Sequence, residues 1–277
     1  MSAWFELELR RGDLDEAIIT RIVDAARVNV AARLQIDVSG LRGVRVVVAD
    51  DANTVVDHEI RVAPRPSGGG YSIYDWFELL FTHELTHLIV RDTWGMPAAL
   101  WWEGMPVHLG DDAVRSRLFG GSYHAYCGAL AELGALLSLE SLLRGSTYYR
   151  RRPDFRVDLQ AGSFCGFLLE TFGPRRLGHF IAESPRPVSE PAVAIVDPGL
   201  RRHFGNDLRG LQAAWVQFLA TRVASDRALI ERLSTRRFGE EPDAVAHCDH
   251  CFAHLRSIAP STPPLCASCA AMTSLLR

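Results

Sequence analysis

The segment YDWFELLFTHELTHLIVR, which ends at Arg91, constrains this chain more than any other. It predicts a strongly apolar helix over about 75–91, stopped around Trp94-Gly95-Met96-Pro97. Trp76, Phe77, Leu79, Leu80, Phe81, Leu85, Leu88 and Ile89 spread round the helix, so it belongs inside the protein. Yet it also carries His83, Glu84 and His87. Three ionisable side chains in a buried helix are expensive unless they are paired or bind a metal. Any fold built on this helix must supply their partners.

The spacing says what those partners do. Residues i and i+4 share a helix face, so His83 and His87 can present two imidazoles to one metal ion. Glu84 lies about 100° round, at ~3.6 residues per turn. It is badly placed to be a ligand but can reach a water held by the metal. Two histidine ligands and a glutamate base are the division of labour in a zinc hydrolase. A catalytic zinc also needs a third protein ligand and an open position. Glu103, in Leu100-Trp101-Trp102-Glu103-Gly104-Met105, is the best candidate, because a turn folds the next helix back toward the first. Two flanking tryptophans make an ordinary solvated carboxylate a poorer reading. His108, Asp111, Asp112 and His124 are its rivals.

Around this centre the chain reads as α+β, mostly helical with a small N-terminal sheet. Residues 13–35 predict an amphipathic helix with Asp13 as N-cap. Val44–Ala49 and Glu59–Ala63 predict strands, the second an edge strand able to pair with an extended peptide. RPSGGG at 65–70 predicts a flexible loop. Helices are expected at 98–110, disturbed by Pro106, and at 125–144, 161–172, 175–183, 207–222 and 225–236. Residues 184–199 are proline-rich and are expected to be irregular. Composition changes after Gly239-Glu240-Glu241-Pro242, giving one domain over 1–240 and a tail over 241–277.

Composition narrows the chemistry further. The chain has 277 residues, 48% of them hydrophobic, enough for a packed core. It holds 30 arginines and no lysine, which excludes a P-loop lysine and Schiff-base chemistry. A net charge of −3 argues against a general polyanion binder but leaves room for local basic patches. The start lacks the basic and apolar regions of a signal peptide, and no run nears the ~20 apolar residues that span a bilayer. The expectation is a soluble cytoplasmic protein with reduced thiols.

In that compartment the tail cysteines read as metal ligands. Cys248 and Cys251 are followed, after fourteen residues, by Cys266 and Cys269. Two CxxC pairs at this separation predict a Cys₄ zinc ribbon, a closed structural site whose metal supplies much of the folding energy. His247 and His250 are read as bystanders, and Cys127 and Cys165 as inert core thiols. Few basic residues accompany the ribbon, so a protein partner suits it better than nucleic acid.

The order HELTH, a turn ending in proline, then Trp102-Glu103-Gly104 resembles the gluzincin zinc metallopeptidases, specifically peptidase-MA-like bacterial domains. The likeness covers roughly 40–222. Val44–Asp50 is similar to the family's strand before the site, Ser163–Leu177 to its helix after it, and Gly205–Leu219 to its closing helix. The resemblance implies a zincin-like domain, Zn²⁺ held by His83, His87 and Glu103, and peptide hydrolysis with Glu84 as general base. Tyr148 or Tyr149 would steady the oxyanion, with His124 and Tyr126 as alternatives. Two positions depart from the family: Pro106 stands where alanine is usual, and Leu159 near a usual tyrosine. Two other readings compete, a SprT-like protease acting on DNA-bound proteins and a non-catalytic zinc-binding interaction protein. The SprT-like third ligand is a histidine, which the Trp-Glu-Gly segment does not supply.

Overall fold

A computed structural model describes residues 4–50, 53–64, 72–111, 122–152, 154, 156–184 and 192–222. It begins with strand β1 (Phe5–Leu9), helix α1 (Glu16–Leu34) and strand β2 (Val44–Val48). β1 and β2 pair in parallel, with Phe5 opposite Val44 and Leu9 opposite Val48. Parallel neighbours need a crossover, and α1 provides it. Its N-cap is Asp15, whose carboxylate accepts from the Ala17 and Ile18 amides. Asp13, the expected cap, instead holds Arg11 at 2.8 Å.

Strands β3 (Thr54–Val56) and β4 (Glu59–Val62) form a tight hairpin, with Asp57 at φ 50° in its turn. The sheet order is β1-β2-β4-β3. This corrects the expectation for Glu59–Ala63: β4 is an inner strand, parallel to β2 and antiparallel to β3, and β3 is the edge. Neither β1 nor β3 is among the expected strands. FELEL does alternate, but three residues of β3 are too few to show a period.

Helix α2 (Ile73–Thr93) carries the histidines. Ser72 caps it in a reciprocal box, accepting from the Asp75 amide at 3.1 Å while Asp75 accepts the Ser72 amide at 2.8 Å. Buried residues occupy almost every face of its central turns, as the all-round apolar pattern required. It ends at Trp94, and Gly95 leaves the helix with φ 97°.

The chain then returns as α3 (Ala99–Pro106), which passes into a π-helical turn over Val107–Asp111. Pro106 has no amide hydrogen for the next α-helical bond, which fits a change of hydrogen-bond register at this point. Further helices are α4 (Tyr123–Glu132), α5 (Gly145–Arg151), α6 (Arg156–Phe172), α7 (Pro174–Glu183), α8 (Ala192–Phe204) and α9 (Leu208–Arg222).

Two expectations are corrected here. The helix expected over 125–144 stops at Glu132, where Gly134 takes φ 62°, and a 3₁₀ turn follows at Leu139–Leu142. The Gln160 and Gln212 side chains accept the Leu137 and Leu139 amides that a continuing helix would have used. Residues 192–199, expected to be irregular, belong to α8 with Pro198 inside it. Ala192, Val196, Leu200 and Phe204 recur every fourth residue and are all buried, so tertiary packing outweighs the proline. The 65–70 loop, the 225–236 helix and the four tail cysteines lie outside the described residues. Cys127 and Cys165 are buried, and burial pushes the Cys165 thiol well above its usual range, as inert core thiols require. No helix among the described residues is long and apolar enough to cross a membrane.

Candidate metal centre

Three elements build the site. α2 supplies His83, Glu84 and His87, α3 supplies Glu103, and α5 with the residue after it supplies Tyr149 and Arg152. The close seat of α3 explains why glycine follows Glu103. A methyl at Gly104 would lie 2.5 Å from the Ala161 carbonyl oxygen and 2.7 Å from Cys165 Sγ. α3 thus rests nearly backbone-to-backbone on α6, which fixes the height at which Glu103 meets α2.

His83, His87 and Glu103 each bring a ligand atom within 4.8 Å of the others. Glu103 Oε2 is 3.5 Å from His83 Nε2 and 3.8 Å from His87 Nε2. Tetrahedral ligands about 2.0–2.1 Å from one ion stand roughly 3.3–3.4 Å apart, so the triangle is close to the required size. Glu103 is almost wholly buried, and its Oε2 accepts no hydrogen bond. A buried carboxylate oxygen without a hydrogen bond is costly; the Arg152 guanidinium 3.4 Å away offsets part of that cost, and a cation between the two imidazoles would offset the rest. The residues present therefore fit a metal ion.

The protonation states agree. Burial, with the nearby His83 and Arg152 charges, holds His87 down at about 3, so its ring is neutral and able to ligate. Burial works against ionised Glu103, but His83, His87 and Arg152 together bring it to about 2. Glu84 is pushed above the usual carboxylate range, first by burial and then by the Glu103 charge. It makes no hydrogen bond or ion pair among the described residues. The His87 ring is fixed by stacking on Trp102, with centroids 4.3 Å apart. His83 keeps 12% of its side-chain exposure, so the cluster reaches solvent on that side.

The rivals for the third ligand stand elsewhere. His108 Nε2 accepts from Arg33 Nη2 at 2.9 Å, which places its proton on Nδ1. His124 lies between Ser163 Oγ at 2.9 Å and Glu170 Oε1 at 3.2 Å. Neither joins the cluster. Asp112 lies outside the described residues, as does the side chain of Asp111.

The two tyrosines divide. Tyr148 is fully buried and donates to Asp158 at 2.8 Å, which does not suit an oxyanion donor. Tyr149 is 45% exposed and donates to Glu103 Oε1 at 2.5 Å, so it is at the site. Tyr126 is buried on α4. Sequence reasoning missed Arg152, whose Nη2 is 3.4 Å from Glu103 Oε2 and whose Nε is 3.4 Å from Asp158. In sequence it is the third of three consecutive arginines, a pattern that reads as a solvated charge run.

Comparison with known protein families, characterised proteins and solved structures gives no match for this chain.

Proposed function

We propose that the chain is a zinc-dependent peptidase with a zincin-like domain of the gluzincin kind. The observation that carries this reading is the meeting of His83, His87 and Glu103 beside the buried carboxylate of Glu84, which has no hydrogen-bond partner among the described residues. The acidic third ligand favours gluzincins over the SprT-like alternative, since neither His108 nor His124 joins the cluster. The Cys248/Cys251 and Cys266/Cys269 pairs belong to the same proposal as ligands of a second, structural zinc.

A zinc ion held here supplies Lewis-acid polarisation of a carbonyl and lowers the pKa of a water to about 7. Glu84 takes the proton of the attacking water and passes it to the leaving amine. Tyr149 holds Glu103 through Oε1 and leaves Oε2 facing the histidines. Arg152 brings a fixed positive charge to the same side, where it can meet negative charge developing on the substrate. The outer edge of β3, which packs beside α2, has no strand partner among the described residues and offers backbone pairing to an extended peptide.

The test is cleavage of a chemically unfolded protein by the full chain. Chelation abolishes cleavage, added zinc restores it, and His83→Ala shows neither activity nor rescue. Cleavage that persists in chelator, or in His83→Ala, refutes the reading.

A further inference from the structure

Away from the metal cluster, α7 and α8 line a shallow groove of about 680 Å³ that is open to solvent. Arg175, Arg176, Arg201 and Arg202 line it with His179 and His203. A chain with a net charge of −3 thus gathers four guanidinium groups round one concavity.

Two of those charges are compensated from outside the lining. Arg201 pairs with Asp207 at 3.0 Å. Arg202 pairs at 3.2 Å with Glu183, whose same oxygen takes His203 Nε2 at 3.0 Å. Arg209 also acts on Asp207, so that carboxylate is shared. Arg175, Arg176 and His179 are exposed and have no ionic or hydrogen-bond partner among the described residues.

The position of Arg175 and Arg176 runs against helix electrostatics. Both lie in the first turn of α7, where the helix dipole is positive and acidic residues are favoured. No acidic residue occupies that turn, and Gly173 gives it no side-chain cap. Free amides, two guanidiniums and the dipole therefore add their positive potential at one end of the groove. Arg201 and Arg202, from the last turn of α8, close the other side. A bound anion would satisfy the amides and relieve the repulsion. The lining is confined to the start of α7 and the end of α8, with Phe204 and Phe172 beside the arginines, a footprint for a compact ligand and not a track for a long polyanion.

We propose that this groove binds a small ligand carrying two or more linked phosphates, with the phosphates between the first turn of α7 and the arginines of α8. Nucleoside triphosphates and inorganic polyphosphate share that chemistry. The test is calorimetric titration of the full chain with ATP, tripolyphosphate and orthophosphate, in chelator so that the metal cluster takes no part. Both triphosphates are expected to bind one per chain and more tightly than orthophosphate. ATP binding more tightly than tripolyphosphate identifies a nucleotide site, and equal binding a site that reads the phosphate chain alone. The double variant Arg175→Ala/Arg176→Ala weakens binding at least about tenfold, whereas Arg21→Ala/Arg42→Ala, at two exposed arginines outside the groove lining, leaves it unchanged. The thermal unfolding midpoint of each variant shows whether it is folded, and Arg176→Glu gives a second variant with the same expected loss. Absence of saturable binding, or binding indifferent to Arg175 and Arg176, overturns the proposal. Tighter binding of a single-stranded DNA decamer than of ATP also overturns it, in favour of a nucleic-acid surface.

Discussion

The Tyr149 hydroxyl donates to Oε1 of Glu103 at 2.5 Å, while Oε2 of the same carboxylate accepts nothing and faces both histidines. One residue thus assigns different tasks to the two oxygens of Glu103, the proposed third ligand. Partners of metal ligands typically contribute 10–100-fold to metal affinity. Tyr149→Phe is therefore expected to weaken metal binding by about tenfold, measured by competition with a chelator of known affinity. Its unfolding midpoint without metal should fall modestly, because the buried Glu103 carboxylate loses the donor to Oε1. Unchanged metal affinity would remove Tyr149 from the site.

The seat of α3 on α6 leads to a second expectation. Gly104→Ala places a methyl 2.5 Å from the Ala161 carbonyl oxygen, a backbone atom that cannot rotate away. Overpacking of this sort costs about 1–3 kcal/mol. The displaced helix carries Glu103, so metal affinity should fall along with the denaturant midpoint. A stable variant with normal metal affinity would show that α3 can shift without consequence.

His108 gives a pH dependence independent of the metal. Burial first, then the charges of Arg33 and His124, hold it down at about 3, against about 6.5 unfolded. The unfolded chain therefore takes up the proton first. This stability is complete above about pH 6.5 and is lost as pH falls toward 3, by at most about 1.4 kcal/mol per unit. Unfolding free energies of wild type and His108→Asn, both in chelator, should differ most at high pH and converge on acidification. A difference that does not change between pH 7 and 5 would contradict the burial of neutral His108.

How much of this was legible in the sequence follows from distance along the chain. His83, Glu84 and His87 are bound by helical geometry alone, so their spacing announced the site before any packing was known. Glu103 needed only that the next helix fold back, and a short turn nearly dictates that. Tyr149 and Arg152 reach the site from more than forty residues away, through the seating of α5: the sequence marks Tyr149 only as an oxyanion candidate and not as the partner of Glu103, and no local pattern points to Arg152. α8 was hidden because Pro198 suggested a break, while the burial of Val196, Leu200 and Phe204 that maintains the helix is a tertiary fact. The edge position of β3 was hidden because sheet order is decided between strands, not within one.

In the proposed mechanism Glu84 acts as a base beside a metal held by its neighbours. The most direct measurement is zinc content and cleavage of an unfolded protein on the same preparations of wild type and Glu84→Gln. Zinc is expected to be equal in both, with cleavage lost by at least about a hundredfold in the variant, the scale of general-base catalysis. Full zinc occupancy with undiminished cleavage by Glu84→Gln would contradict that mechanism.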